Sequence, residues 1–330
     1  MWNRHKSWWA VLGAALAVIV VIAGVVLLRG TGQPHPAPPA AGPQQKSHQL
    51  VSPFTGKPVK SLGRVLAVKI DNLVDARPQT GLTRADIVYV LQVEGGLSRF
   101  LAVYSSHYPP VIGPVRSARQ DDLQLLRQFG RPAFAYSGAH PQLLPIVERA
   151  PIVDLYSGRV GGYYRDSHRY APHNLYARTS QLMAEARGAS RAHGIGFRFG
   201  PAPAGGRPTT SMSVNYPAAS YTFRWSAASG RWLVWMDGAP AMSTEDGQLG
   251  TPTVVIQYVK VTVARFLEWG QPAPYSHSTG AGRAVVLRRG KAWAVRWARP
   301  RGRDGTTYTT GTGQRMTFAR GPVWVLFVHE

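Results

Sequence analysis

The sequence predicts an α/β or α+β layer domain with a mixed sheet, followed by a smaller β-rich domain. Three observations predict it. Between residues 64 and 200 short apolar runs such as Leu66–Ile70 and Ile87–Val93 alternate with segments of helical spacing. After residue 213 nearly every apolar stretch alternates with a period of two and is bounded by Gly or Pro. Between them, 201–212 opens with a Pro/Gly-rich run that reads as a linker.

The first elements concern the membrane. Residues 1–7 carry Arg4 and Lys6, and 8–28, Trp8 to Leu28, form an uncharged apolar run long enough to cross a bilayer at about 1.5 Å per residue. Positive charge lies mainly before that run, so 1–7 reads as a cytoplasmic tail, 8–28 as a transmembrane anchor, and the chain beyond it as extracytoplasmic. A cleaved signal peptide is the competing reading, but Val25-Val26-Leu27-Leu28-Arg29 is a poor cleavage site. Residues 29–63 then read as a Pro-rich linker, with Pro34, Pro36, Pro38, Pro39 and Pro43 favouring an extended spacer.

The layer domain, 64–200, begins with a buried strand at Leu66–Asp71. Ile87–Val93 and Phe100–Tyr104 come next, joined by the hairpin-sized loop Glu94-Gly95-Gly96-Leu97-Ser98. Ser117 is placed to cap a helix with Asp121 and Asp122 in its first turns, ended by Gly130 and Pro132. Ala133–Tyr136 and Ile152–Tyr156 read as strands, Pro141–Arg149 and Ser180–Arg187 as helices. In the β-rich domain, 213–330, Tyr221–Trp225 and Trp232–Met236 alternate, and Val254–Val263, Ala284–Leu287, Ala292–Trp297 and Val323–Val328 continue the strand signal. Trp293, Val295 and Trp297 read as core rather than as a sugar-stacking platform. Gly280-Ala281-Gly282 is no dinucleotide fingerprint, because a strand succeeds it where a helix is required.

Several stretches in one order carry a family resemblance. They are Val68-Lys69-Ile70-Asp71-Asn72, Ala76-Arg77-Pro78-Gln79-Thr80-Gly81-Leu82, Ala85-Asp86-Ile87-Val88-Tyr89 and Val93-Glu94-Gly95-Gly96-Leu97-Ser98-Arg99-Phe100. Ile112-Gly113-Pro114-Val115-Arg116-Ser117-Ala118-Arg119 and Ala171-Pro172-His173-Asn174-Leu175-Tyr176 complete the set. Over about Pro53 to Val328 the chain resembles the YerB-like family of bacterial envelope proteins. The resemblance implies an envelope location and a two-domain layout, and no reaction. The family is usually anchored as lipoproteins; this chain has no cysteine, so here a helix would replace the lipid.

Polar residues in those stretches are the candidate site. Asp71-Asn72 ends one strand and Glu94 another. If the two strands are parallel, both carboxylates reach one sheet edge, where ligands of α/β sheets sit; if antiparallel, Asp71 caps a turn and Glu94 closes a hairpin. Arg116-Ser117-Ala118-Arg119 leads into a helix N-terminus, which calls for a negative partner: Asp121, Asp122, Glu94 or a bound anion. His173 is a candidate proton carrier and Asn174 a substrate-orienting group, or both stabilise an irregular loop. Asp166, His168 and His173 match no metal-ligand spacing. Neither a metal nor a cofactor is expected.

Net charge is +22, from 38 Lys and Arg against 16 Asp and Glu, which favours attraction to polyanions and says nothing about fold. The reading these observations favour is a single-pass cell-membrane protein that binds an acidic wall-related or peptide ligand outside the cytoplasm. Arg77, Arg99, Arg116, Ser117, Arg119, Asn72 and Asn174 would hold it, and a cell-wall polymer or envelope protein would be the partner. The alternative is a wall hydrolase or transferase with Glu94 or Asp71 and His173 as acid and base. Extracellular nucleic-acid binding rests on charge alone and is not expected.

Overall fold

The computed structural model describes residues 49–330, Trp269 excepted. The expected tail at 1–7, the anchor at 8–28 and most of the 29–63 linker lie outside those residues. Among the described residues no helix is long and apolar enough to cross a membrane. The far end of the expected linker is corrected. Val51 bridges to Pro58, and Phe54 is fully buried, edge-on to Phe129 with centroids 5.5 Å apart. One large aromatic gives this segment the apolar anchor that the Pro- and Gln-rich stretch lacks, so the folded body starts near Val51 rather than Arg64.

In chain order the first half contains β1 (Leu66–Ile70), β2 (Ile87–Gln92), β3 (Ser98–Tyr104), β4 (Val111–Ile112), α1 (Gln120–Leu126) and β5 (Ala133–Tyr136). Then come α2 (Leu144–Glu148), β6 (Val153–Tyr156), β7 (Tyr163–Arg165), β8 (Leu175–Arg178) and α3 (Thr179–Glu185). The second half supplies β9 (Ser211–Tyr216), β10 (Ala219–Ser226), β11 (Arg231–Met236), β12 (Thr253–Val259), β13 (Val261–Glu268) and β14 (Gln271–Ser276). It ends with β15 (Gly280–Arg288), β16 (Lys291–Arg299), β17 (Thr307–Thr310) and β18 (Val323–His329).

Most of these strands form one mixed sheet in the order β17-β16-β15-β12-β18-β2-β3-β1-β5-β6, with Arg207–Pro208 added beside β16. The expected separate β-rich domain is corrected in this respect. β18 runs parallel to both β2 and β12, with Val323 opposite Ile87 on one side and Thr253 on the other. An apolar run such as Val-Trp-Val-Leu-Phe satisfies the open edge of β2, so the 201–212 boundary divides the sequence but not the sheet. β9, β10 and β11, with the short strands Ala239–Pro240 and Gly250–Thr251, make a second sheet; β4, β8 and β7 make a small third one, and β13 with β14 and Met242–Ser243 with Gly247–Gln248 pair as separate two-stranded ribbons.

Both faces of the large sheet are covered, which is why β1, β2 and β3 are apolar without alternation. One face packs on the second sheet through Tyr221, Phe223, Trp232 and Trp324. The other lies under α1, α2 and the 192–199 segment, through Phe129, Phe134, Ile195 and Phe318. Trp293, Val295 and Trp297 belong to this second core, as their alternation predicts. Hairpin turns carry the chemistry their twist demands. Arg289-Gly290 and Asp237-Gly238 both place two successive residues at positive φ, the conformation that matches right-handed strand twist.

Three polar features fix α1. Lys69, the one charge inside β1, reaches Asp122 Oδ1 at 2.7 Å, with both side chains fully buried. Gln120, Asp121 and Gln124 accept the backbone N–H groups of Arg265, Ser276 and Ser278 at 2.9, 3.3 and 2.9 Å. At the other end Arg299, fully buried, donates to the Gln124 and Gly302 carbonyls and to Ser278 Oγ. A cation among the last carbonyls of a helix is favourable, and here it also ties α1 to β16.

Candidate functional site

β1 and β2 each pair antiparallel with β3, so they run parallel to one another with β3 between. Asp71 and Glu94 therefore emerge at one edge of the sheet, and Arg99, second residue of β3, enters from it. The 115–119 segment crosses that edge. Arg116 donates its N–H to the Lys69 carbonyl at 2.8 Å and accepts from Ser137 at 3.0 Å. Loop 166–174, between β7 and β8, brings His173 to the same place.

Two adjoining charge clusters result. In the first, Asp71 is fully buried. Its Oδ1 accepts the N–H of Asn72 at 2.9 Å, and its Oδ2 lies 2.7 Å from His173 Nδ1 and 3.1 Å from Arg116 Nε. The Arg116 Nε–H is not aimed along that line, so the contact is an ion pair rather than a directed hydrogen bond. In the second cluster Glu94 receives Arg119 on both oxygens, Nε at 2.9 Å from Oε2 and Nη2 on Oε1, and Arg99 Nη2 at 3.1 Å. Arg119 Nη2 also lies 3.6 Å from Glu268 Oε2.

Burial alone would raise the Glu94 pKa, but the Arg119 hydrogen bonds and the Arg99 and Arg119 charges outweigh it and hold the group at about 2. Burial and the neighbouring Arg119 charge pull Arg99 down to about 10. Glu268 is pushed up, chiefly by burial. Arg99 is 4% exposed, and its Nε and Nη1 have no hydrogen-bond partner among the described residues.

The remaining candidates have other partners. Asn72 donates to Ser98 Oγ at 3.1 Å and Tyr221 OH at 2.6 Å, and accepts from Gln79 Nε2 at 2.9 Å. Arg77 holds the Asn72 carbonyl at 2.9 Å and pairs with Asp237 at 2.8 Å. Both face the second sheet and join it to β1. Asn174 accepts from Arg165 at 2.7 Å and donates to the Asp166 and Arg169 carbonyls, each at 3.0 Å; it shapes the loop that carries His173. Ser117 does not cap α1. Arg119 is the residue before the helix, and Asp122 closes the turn by accepting the Arg119 N–H at 2.7 Å. With one short helix behind it, the expected anion at a helix N-terminus is replaced by Glu94 for Arg119 and Asp71 for Arg116.

Asp166 and His168 bond to each other at 3.1 Å on an exposed loop, while His173 turns to Asp71. Among the described residues no three His, Asp or Glu side chains assemble as a metal site. Sequence reasoning missed Glu268, whose partner lies far away in the chain, and the Lys69–Asp122 pair; a charge inside an apolar strand was the available signal for the latter. Beside Glu94 a groove of about 540 Å³ opens between the 94–96 loop, the Asn215–Pro217 turn and the β13–β14 hairpin.

Two family descriptions match the chain. "Protein of unknown function (DUF3048) N-terminal domain" matches residues 54–192, and the corresponding C-terminal domain matches 212–325. A Bacillus subtilis strain 168 protein called "Putative lipoprotein YerB" is 34% identical over 133 residues, which are 39% of this chain and 40% of that protein. The aligned region thus spans well under half of that relative. The crystal structure of YerB from Bacillus subtilis superimposes with a TM-score of 0.74 at 21% identity, covering 86% of this chain and 97% of that one. At that identity the likeness is one of fold.

Proposed function

Because the chain belongs to the two-domain DUF3048 family, with a relative named as a lipoprotein, we propose that it is an envelope-associated protein that binds an anionic ligand at the β1/β3 sheet edge. The membrane anchor at 8–28 and the wall-related or acidic-peptide ligand are parts of this reading. The observation that carries it is Arg99: a guanidinium with two buried N–H groups unpartnered among the described residues. A buried donor left unsatisfied costs about 1–3 kcal/mol, more for a charged group, and a carboxylate or phosphate entering beside it recovers that cost. Arg116 adds a second guanidinium held by an ion pair alone, and His173 an imidazole 12% exposed. Arg77 and Arg119 are less suited, because their N–H donors are already spent, on Asn72 and Asp237 for Arg77 and on Glu94 and the Ala118 carbonyl for Arg119.

The test is anion-dependent stability. Phosphate and acetate titrations should raise the thermal midpoint of the wild type by mass action, and the rise should vanish in Arg99→Met. No anion-dependent shift in the wild type beyond that of a chloride control would refute the reading.

A second reading, a hydrolase or transferase, is favoured by one observation. Asp71 orients His173 through Nδ1 at 2.7 Å, which leaves Nε2 turned away from the carboxylate and free to take a proton. Glu94 is the weaker candidate acid, because the Arg119 hydrogen bonds and the Arg99 and Arg119 charges favour its ionised form. Turnover of a wall-derived substrate that is lost in His173→Gln, with ligand binding retained, would select this reading.

A further inference from the structure

We propose that the groove beside Glu94 receives an extended peptide segment of about four residues whose carboxylate enters the Arg99–Arg116 site. This inference rests on the anion-binding reading and adds the ligand's class and length. The groove lies at the same sheet edge. It is lined by Gln92 and Val93 from the end of β2 and by Val328 and His329 from the end of β18. The parallel strands β2 and β18 both finish there, so the groove and the anion site are neighbours along one line of strand ends. From β18 to β1 the sheet order steps across β2 and β3, three spacings of about 4.8 Å, or about 14 Å. That is the reach of about four extended residues.

The lining selects the chemistry. Gln92 and Asn215 offer neutral donors and acceptors, the complement of peptide amides, while the Thr262 hydroxyl is already bonded to His277 Nε2 at 2.9 Å. Val263, Pro272 and Pro274 offer apolar surface, and Val263 is 65% exposed. Glu94, the groove's carboxylate, is already engaged by Arg119 and Arg99, so the groove repels little of its own. A sugar chain is a poorer fit. Its rings pack on exposed aromatic faces, and the aromatic lining residue, Tyr216, is 7% exposed. Charge complementarity then orients the peptide, its neutral stretch over the groove and its anionic end at the guanidinium groups.

Fluorescence polarisation with N-terminally labelled penta-alanine, carrying either a free carboxylate or a terminal amide, tests this in the folded extracytoplasmic chain. Acetate and tetragalacturonate serve as competitors. The free-carboxylate peptide should bind at least tenfold more tightly than acetate, and amidation should lose most of that affinity. Asn215→Trp, which fills the groove from an exposed position, should weaken the peptide at least tenfold and leave acetate binding unchanged. Val263→Arg, on a separate exposed strand, should do the same, which guards against a folding defect in one variant. Arg116→Ala should weaken both ligands. Equal affinity for acetate and peptide, or indifference to both groove variants, would overturn the groove assignment while the anion site stands. Tighter binding of tetragalacturonate than of peptide would overturn the peptide class. Failure of acetate to bind would remove the anion site itself.

Discussion

Arg116 and His173 meet on a single oxygen: Oδ2 of Asp71 lies 3.1 Å from Arg116 Nε and 2.7 Å from His173 Nδ1. One buried carboxylate thereby holds a cation from the segment before α1 and an imidazole from the β7–β8 loop. Its second oxygen is occupied by the Asn72 N–H, so Asp71 is spent on positioning. Any chemistry at this edge falls to the groups it holds.

Removing that carboxylate should therefore cost more than a surface ion pair. Asp71→Ala leaves Arg116 without its counter-ion and the Asn72 N–H without its acceptor, at a position that is fully buried. Urea unfolding should show a loss of about 3–5 kcal/mol, the scale for breaking a buried pair. A loss under about 1 kcal/mol, the surface-pair scale, would mean that the pocket solvates freely.

Arg119 and Arg99 should separate in their effects, although both touch Glu94. Arg119 supplies the two-pronged contact, so Arg119→Ala should lower the unfolding free energy by several kcal/mol. Arg99→Met removes the unpartnered Nε and Nη1 donors and the single Nη2 contact to Glu94 but keeps the bulk, and Arg119 still holds both Glu94 oxygens, so the thermal midpoint should stay within a few degrees of the wild type. Equal destabilisation by both changes would make Arg99 a structural residue and weaken the anion reading.

Acid should act first through Glu94. Its folded pKa, about 2, lies below the ordinary 4.5, so the folded state is stabilised above pH 4.5 and loses that contribution as pH falls toward 2. The difference is on the order of 3 kcal/mol. Denaturant unfolding from pH 6 to 2.5 should steepen in the wild type over that window and flatten in Glu94→Gln. An unchanged slope in the variant would show that another carboxylate dominates.

Asp121 should act in the opposite direction. Burial first, and then the Asp122 charge, push its pKa up to about 7. A carboxyl raised in the folded state stabilises fully below its ordinary 3.8 and loses that contribution as pH climbs through 7. Asp121→Asn keeps an acceptor for the Ser276 N–H and carries no charge. It should raise stability at pH 8 and leave it unchanged near pH 4; a loss at both pH values would mean the ionised group is needed for packing.

How much of this is legible in the sequence differs by residue. The strands of the first half, the β-hairpins and the Trp293–Val295–Trp297 stripe come from local periodicity, because each is decided by neighbours a few positions away. The sheet edge shared by Asp71 and Glu94 is one of two arrangements the sequence permits, and choosing between them needs the position of β3 between β1 and β2. Arg119 with Glu94, and Arg77 with Asp237, are pairings across loops, and nothing in the composition of either stretch ranks one counter-ion above another. Ser117 as a helix cap is what residue preference predicts, but the backbone turns two residues later and Asp122 reaches back to close it. The insertion of β18 beside β2 is not legible at all. Its apolar run fits any open edge, and only the completed sheet shows which edge was open.

That insertion makes the two sequence domains mechanically inseparable. The strand carrying Val323 to His329 is the middle plank of the sheet, hydrogen-bonded along its length to both halves, with Ile87 on one flank and Thr253 on the other. A chain made from its N-terminus exposes the edge of β2 for as long as it takes to produce everything between. During that interval the first half has a finished motif set but an open zipper, and is a target for misjoining and for proteases. Cutting the chain in the Pro/Gly-rich stretch at 201–212 should therefore yield no two independent folding units, however cleanly the family boundaries divide there.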